Sequence, residues 1–225
     1  MIVSATLIAY AVIAVVSYLL GSLNFGVILS KRFKKDDVRS HGSGNAGTTN
    51  MLRSYGKGIA VLTIIGDMAK VAVAIGAAYL IRNSLSPQAF EYLANESGFD
   101  FEVVFKMYAG LFCVIGHIFP CFFSFKGGKG VATSGGMVFM IDWKIALILL
   151  AMFIVVVLIT KYVSLGSLVM AFFYPIFIFI FYKSLIPTAI AVVFAVIVFV
   201  AHRQNIVKLC KGTENKIGNK NKSGD

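Results

Sequence analysis

Apolar residues fall into seven runs separated by polar segments, a pattern typical of a helical protein that crosses a membrane repeatedly. The runs cover about 2–30, 58–81, 103–122, 130–141, 145–160, 162–182 and 184–201. A spanning helix needs about 20 apolar residues, and five or six of the runs approach or exceed that length. The fourth run would form a helix of only about 18 Å, shorter than the roughly 30 Å hydrocarbon core. The pattern predicts an all-α, polytopic integral membrane protein whose fourth helix is short.

The charges between the runs predict how the chain is oriented. Basic residues dominate the segment 31–57 and the tail from Arg203 onward, whereas acidic residues dominate the segment 82–106. Because loops rich in Lys and Arg stay in the cytosol, the two basic segments belong inside and 82–106 outside. These placements agree only if the short fourth run also crosses. We therefore predict seven transmembrane helices, with the N-terminus outside, the C-terminus in the cytosol, and one domain over 1–225 whose tail (about 212–225) is frayed.

Composition excludes several classes of protein. Of 225 residues, 58% are apolar and 14% are charged, and mean hydropathy is +0.84. Soluble domains carry about 45–50% apolar and about 25% charged residues, so an ordinary soluble enzyme is excluded. The net charge of +11 is explained by cytosolic basic loops, and no nucleic-acid partner is expected. The three cysteines show no metal-ligand spacing.

Four polar segments contain the candidate chemistry. They cover 37–53, 116–133, 161–167 and 202–206. The predicted topology puts all four at cytosolic ends of helices, although it was assigned from hydropathy and charge alone. Their convergence predicts a single site at the cytosolic face.

The first segment contains a formal G-x-G-x-x-G from Gly42 to Gly47. No strand precedes it and no βαβ unit follows, so a dinucleotide site is not indicated. Glycine backbone can nevertheless approach an anion closely, and successive N–H groups can form a concave anion site. The alternative is a flexible polar turn, but Asn, Thr, Ser and Arg side chains surround these glycines. The segment therefore favours an anion-binding loop.

The other three segments have competing interpretations. Phe125–Thr133 places glycines and two lysines at the start of the fourth helix, where free N–H groups suit a phosphate. The turn 161–167 is explained equally well as a helix cap. A basic stop at the membrane edge would explain Arg203, but not His202 or Asn205.

Asp67 and Lys70 lie inside the second apolar run, three residues apart. A charge within a membrane costs roughly 2.5–3.5 kcal/mol, so each of the two needs a partner. They either neutralise one another as a structural pair or hold the adjacent glycine-rich loop.

Two anion sites at a bilayer surface indicate a substrate with phosphate groups and a lipid tail. Hydrogen-bond donors and cations suit acyl transfer, because they stabilise the oxyanion and hold the phosphate. The sequence has no carboxylate pair for glycosidic chemistry, and no histidine is followed by the H-x-x-x-x-D spacing of a common acyltransferase motif. The rival class is a transporter of phosphorylated anions, but no repeated halves are visible. A structural scaffold would leave the polar clusters unexplained.

Three motifs resemble those of the acyl-phosphate-dependent glycerol-3-phosphate acyltransferase family of bacterial membranes. They comprise residues 21–53 with Asp67 and Lys70, then 116–133, then 202–214. Two departures, Asn24 for a usual Pro and Val71 for a usual Gly, concern helix geometry.

The resemblance implies transfer of a fatty acyl group from acyl-phosphate to glycerol 3-phosphate, giving 1-acylglycerol 3-phosphate (lysophosphatidic acid) and phosphate. This reaction is the first acylation of phospholipid synthesis. The resemblance also implies seven spans in the bacterial cytoplasmic (inner) membrane and an active site on the cytosolic face. We expect no metal and no cofactor, and the expected partners are the two substrates and the lipid bilayer.

Carried over residue by residue, the resemblance assigns three groups of side chains. The expected catalytic residues are His202, Asn205, Ser43 and Lys129. The expected substrate-binding residues are Gly42, Gly44, Asn45, Thr49, Asn50, Arg53, Lys126, Gly127, Gly128, Ser164, Ser167 and Arg203. Asp67, Lys70 and His117 are expected to support the loops.

The two phosphates and the general base are assigned as follows. Arg53 is expected to bind the phosphate of glycerol 3-phosphate. Lys129 and the Gly127–Gly128 backbone are expected to bind the phosphate of the acyl donor, although the two sites could be exchanged. The general base is either His202 or a phosphate oxygen of the donor.

Overall fold

The computed structural model describes residues 2–217, and over that range the chain is helical with no β-strand. The helices are α1 (Ile2–Gly21), α2 (Phe25–Lys34), α3 (Thr48–Tyr55), α4 (Lys57–Leu85), α5 (Pro87–Glu96), α6 (Phe101–Ile118), α7 (Val131–Ile141), α8 (Trp143–Thr160), α9 (Val163–Tyr182), α10 (Leu185–Ala201) and α11 (Arg203–Cys210). The predicted all-α fold is confirmed. Residues 218–225 of the predicted frayed tail lie outside the described residues.

Five helical segments are long and apolar enough to cross a membrane. They are Ser4–Lys34, Lys57–Leu85, Phe101–Phe123, Trp143–Thr160 and Val163–Tyr182. A sixth exists if α10 and α11, which meet at an angle of 63°, count as one span. The remaining apolar helix, α7, has 11 residues. The seven predicted runs thus all form helices, while the number of crossings and the orientation of the termini stay predictions.

Three short helices, α3, α5 and α11, lie within segments that hydropathy marks only as polar. The first, α3, begins directly after Gly47 and buries Asn50 and Met51. The second, α5, begins with a proline, which suits the first helical position because its missing N–H has no intrahelical partner there. These helices have only 8 to 10 residues, so a search for apolar runs of about 20 residues did not predict them.

The helices pack closely through small residues. α1 lies against α4 and α6, and glycines stand where α1 meets α6. A side chain at Gly21 would overlap the carbonyl of Cys113, and one at Gly116 would overlap that of Tyr18. Lipid is as apolar as these side chains, so close backbone contact is a main source of stability between membrane helices. Elsewhere α9 packs between α8 and α10.

The short helix α7 is packed on three sides, by α4, α6 and α8. Gly136 lies against Met68 of α4, where an added Cβ would come within 3.0 Å of the methionine Cα. This packing holds the N-terminal end of α7, at Gly130, in a defined position beside the preceding loop.

The glycine-rich loop has an apolar core of its own. Val27, Val38, Ala46, Met51 and Ala60 form a buried cluster separate from the main core. Four of these five side chains are fully buried, and Ala60 is nearly so. The segment is therefore a packed unit that presents its polar residues on one side.

Candidate active site

One cavity of about 630 Å³ collects residues from all four polar segments. The sequence-predicted residues that line it are Ser43, Gly44, Asn45, Thr49, Asn50, Arg53, Lys129, Ser164, Ser167, His202 and Asn205. Asp67 and His117, predicted as supporting residues, also reach its wall. Residues as far apart in sequence as Ser43 and Asn205, separated by 162 positions, thus meet at one place, as the predicted convergence requires.

Asn50 organises the glycine-rich loop from beneath. Its amide group donates to the carbonyls of Val38 and His41, both at 2.9 Å, and its Oδ1 accepts from the backbone N–H of Ser43 at 2.9 Å. Gly42 has φ +56° and packs so closely on Asn50 that an added side chain would overlap the amide. Gly42 itself does not line the cavity. We infer that its lack of a side chain allows the loop to turn close to Asn50.

Arg39 joins this loop to the loop that precedes α7. Its Nη1 donates to the carbonyls of Phe123 (2.9 Å) and Lys126 (3.0 Å). Its Nε and Nη2 grip both oxygens of Asp37 at 2.9 and 2.7 Å, and this contact holds the pKa of that carboxyl below its usual value. The two predicted anion sites are therefore held together by one guanidinium.

A buried ionic cluster lies beside the break between α1 and α2 and against the loop that precedes α7. Lys70 Nζ lies 2.9 Å from Asp67 Oδ1, an ion pair without hydrogen-bond alignment, and 2.8 Å from His117 Nδ1. The same ammonium donates to the carbonyls of Gly21 (3.0 Å) and Leu23 (3.1 Å), at the break between α1 and α2. Lys70 does not line the cavity. Its pairing with Asp67 is observed and its other contacts hold the break between α1 and α2, while support of the glycine-rich loop stays a prediction.

Gly127 and Gly128 differ from the expected phosphate-binding backbone. Their N–H groups donate to the carbonyls of Ile118 and His117, each at 3.2 Å, and neither glycine lines the cavity. A side chain at Gly128 would overlap the imidazole of His117. The glycines are needed because this loop lies directly on the end of α6. Lys126 also lies outside the cavity lining, and its backbone carbonyl accepts from Arg39.

Lys129 begins a hydrogen-bonded chain across the cavity wall. Its Nζ donates to Asn205 Oδ1 at 2.5 Å, and Asn205 Nδ2 donates to Glu214 Oε1 at 2.7 Å. Ser164 Oγ donates to the same Glu214 oxygen at 2.9 Å. Burial lowers the pKa of the Lys129 ammonium, and the Glu214 carboxylate opposes that shift. The second, third and fourth segments are thus joined by one network.

His202 lies at the bend between α10 and α11, and only 2% of its surface is exposed. Its Nδ1 is 2.8 Å from the carbonyl of Val198, and because a carbonyl only accepts, this nitrogen bears the proton. The neutral ring then has a free lone pair on Nε2, which is the arrangement a general base needs. Arg203, the neighbouring predicted residue, is exposed, donates to the Val200 carbonyl at 3.3 Å and does not line the cavity.

Comparison with known proteins identifies the family. A family model described as "Glycerol-3-phosphate acyltransferase" matches residues 11–212. The chain belongs to this family. A glycerol-3-phosphate acyltransferase of Clostridioides difficile (strain 630) is 42% identical over 213 residues, covering 94% of this chain and 97% of the relative. One of Ralstonia pickettii (strain 12J) is 36% identical over 216 residues, covering 96% and 98%.

Solved structures agree with this assignment. The crystal structure of PlsY (YgiH), an integral membrane glycerol 3-phosphate acyltransferase, in its glycerol 3-phosphate form matches with a TM-score of 0.77 at 32% identity, covering 93% of this chain and 96% of that one. The lysophosphatidic acid form matches with a TM-score of 0.75 at 31% identity. The resemblance drawn from the sequence motifs is confirmed, and the transporter alternative is not favoured.

Several residues of this acyltransferase's cavity were not predicted as site residues. Thr48, Lys208 and Glu214 line it, and Arg39 holds it together. The hydroxyl of Thr48 is buried and has no hydrogen-bond partner among residues 2–217. In the sequence Thr48 is distinguished only by its place beside the glycine-rich loop, as the first residue of α3 after Gly47. Glu214 lies within the third family motif, but its contact with Ser164 spans 50 residues of sequence and depends on the fold.

Proposed function

We propose that this acyltransferase transfers a fatty acyl group from acyl-phosphate to a hydroxyl of glycerol 3-phosphate, forming 1-acylglycerol 3-phosphate and inorganic phosphate. One observation carries the proposal: a single cavity joins a cationic polar end to a long apolar extension. Arg53, Lys129 and Lys208 supply the cations. The apolar walls come from α7, α8, α9 and α10. Such a cavity suits two phosphorylated head groups and one hydrocarbon tail.

In the proposed reaction the acceptor hydroxyl oxygen attacks the acyl carbonyl carbon, forming the new ester bond. The bond from that carbon to the phosphate oxygen then breaks, and phosphate leaves with both bonding electrons. The hydroxyl proton passes either to Nε2 of His202 or to an oxygen of the departing phosphate. Phosphate is a good leaving group, so the site needs charge stabilisation more than it needs a strong acid.

The proposed assignment of the two phosphates follows the positions of the cations. Lys129 lies directly before α7, whose first residues, Val131 and Ala132, line the cavity, so its ammonium and the helix N-terminus suit the acyl-phosphate. Arg53 at the end of α3 can offer two N–H groups to the glycerol phosphate. In the proposed complex Asn205 and Ser43 donate hydrogen bonds near the reacting carbonyl.

The proposal includes the membrane arrangement. Seven crossings, with α7 short, the N-terminus outside and the C-terminus in the cytosol, would place the cavity's polar end on the cytosolic face of the bacterial inner membrane. Arg53 of α3 and Lys208 of α11 support this orientation because both line that polar end. In this arrangement the donor's tail stays in hydrocarbon while its head enters the site.

A phosphate-release assay on purified protein tests the reaction. Acyl-phosphate should release phosphate in the presence of glycerol 3-phosphate and only slowly in its absence, with lysophosphatidic acid as the lipid product. The same acyl chain on coenzyme A or acyl carrier protein should support little turnover, because the cavity's polar end suits a compact charged head and not a nucleotide. Comparable turnover with acyl-CoA would contradict the donor assignment.

Labelling tests the orientation. In a background without the native cysteines, a cysteine at Glu96 should react with an impermeant reagent from outside, and a reporter fused after Asp225 should read cytosolic. Both positions on the same side would contradict seven crossings.

A further inference from the structure

The cavity continues from its polar end into an apolar pocket inside the helix bundle. Five of the side chains in its wall are less than a tenth exposed, so this side of the pocket lies within the protein, whereas Phe139, Leu147 and Leu150 on the other side are about half exposed. The five buried side chains are Val138, Leu149, Ala171, Phe194 and Val198. A pocket of this composition binds hydrocarbon.

The pocket ends at the same depth on two helices. Along α9, residues at spacings of three and four line the cavity as far as Tyr174, whereas Ile178, next on that face, is buried in the core and does not. Along α10 the lining ends at Phe194, and Ala191 beyond it is fully buried. The rings of Tyr174 and Phe194 meet edge to face, with centroids 5.7 Å apart at 74°. Together the two rings form a floor.

The hydroxyl of Tyr174 is unusual for a buried polar group. The residue is 2% exposed and lines the cavity, yet its phenol oxygen has no hydrogen-bond partner within the described part of the chain. Buried hydroxyls are normally bonded, because an unpaired one loses its water without compensation. The side chain is therefore held by its ring packing and not by its polar atom, which fits a residue whose shape closes a pocket.

The length of the pocket can be measured along α9. Tyr174 is ten residues beyond Ser164, or about 15 Å at about 1.5 Å per helical residue. A saturated chain with C–C bonds of about 1.5 Å advances about 1.3 Å per carbon, so about 12 carbons extend from the polar end to the floor. Along α8 the lining continues past this depth to Leu147 and Ala146, on the more exposed side of the cavity, so a longer chain must bend that way. Leu147 and Leu150 are each 48% exposed.

We propose that Tyr174, backed by Phe194, is the floor of the acyl pocket and determines which acyl-chain lengths the enzyme prefers. This inference rests on the proposed function, since it assigns the pocket to the donor's tail. The tail comes from a bilayer and gains little from burial alone, so the selection is steric: a chain that overfills the pocket must distort it or bend.

The test compares turnover of acyl-phosphates from about 10 to about 18 carbons, a range of about 10 Å in extended length. Tyr174→Ala should move the preferred length upward by about three to four carbons, the space left by the ring, and raise the ratio of longest-chain to shortest-chain kcat/KM about tenfold. Tyr174→Phe keeps the ring and should leave the profile unchanged. Phe177→Ala removes an α9 ring that does not line the cavity and should also leave it unchanged.

Two further variants keep the test decisive if Tyr174→Ala does not give a monodisperse protein. Tyr174→Leu should shift the profile toward longer chains and Tyr174→Trp toward shorter ones. A folded Ala variant, or a Leu and Trp pair, with the wild-type profile would overturn the assignment of Tyr174.

Thermal stabilisation by the same acyl-phosphates measures tail binding without turnover and should show the same order of chain lengths. If no chain length gives phosphate release that depends on glycerol 3-phosphate, the proposed reaction fails. In that case the dependence of thermal stabilisation on chain length tests the role of Tyr174. If this dependence is the same in the Tyr174 variants as in wild type, Tyr174 is not the pocket floor.

Discussion

Replacing Arg39 should uncouple the two loops that form the polar end of the cavity. In Arg39→Ala the carbonyls of Phe123 and Lys126 lose their shared donor. Asp37 loses both guanidinium contacts but keeps the backbone N–H of residue 39, at 3.0 Å, and the ammonium of Lys31, at 3.8 Å. A hydrogen bond from a charged donor contributes about 1.5–3 kcal/mol. The Arg39 side chain is 21% exposed, so we take the lower end, about 3 kcal/mol for the two carbonyl bonds together.

Losing these two hydrogen bonds should reduce activity more than it destabilises the fold. We infer that Lys129 is positioned at the cavity only when the two loops are in contact. A loss of about 3 kcal/mol would lower the population in which they are in contact by up to about a hundredfold. We expect kcat/KM to fall by about tenfold to a hundredfold for both substrates, because both anion sites depend on the contact. Arg39→Lys should recover part of this, since one ammonium can reach one carbonyl but cannot also grip Asp37.

Steady-state phosphate release, with each substrate varied in turn, measures this effect. Arg32→Ala is the matched control, because Arg32 is an exposed arginine of α2 that lies over the ring of Phe33. Thermal unfolding of both variants in detergent reports whether the fold is intact. An Arg39→Ala enzyme with normal unfolding and kcat/KM within twofold of wild type would refute the coupling.

Three further predictions concern the same cavity. Arg53→Lys keeps the charge but loses the two-pronged donor, so the KM for glycerol 3-phosphate should rise about tenfold; an unchanged KM and turnover would remove Arg53 from the acceptor site. Glu214→Gln removes the carboxylate that opposes the lowering of the Lys129 pKa, so Lys129 should lose its proton at a lower pH. The fall of kcat/KM at high pH should therefore begin at a lower pH than in wild type. If that fall begins at the same pH in both enzymes, Glu214 does not keep Lys129 charged. Gly128→Ala should abolish folding or activity, because the added methyl group would overlap the imidazole of His117 in α6. Gly76→Ala is the control and should be tolerated, because an added methyl group there meets nothing within 4 Å. Expression and thermal unfolding measure both effects.

The positions of the helices and of the polar segments could be predicted from sequence because both are local properties. Hydropathy sums over consecutive residues, so every apolar run is helical, including the 11-residue α7, although the first run is divided into α1 and α2. The segments 37–53 and 202–206 were recognisable because glycines, amides and basic residues cluster there in consecutive positions. Family motifs then supplied the chemistry, and the comparisons bear that out.

The tertiary structure alone decided which polar groups are free to act. Gly127 and Gly128 look like an anion site in sequence, but packing against α6 uses their N–H groups. Arg39 reaches carbonyls more than 80 residues away, and Glu214 reaches Ser164 across 50. Hydrogen bonds and pocket walls depend on which distant surfaces come into contact, and no local sum of residue properties contains that information. For the same reason Tyr174, one aromatic residue among many in an apolar run, becomes a pocket floor only where α9 packs against α10.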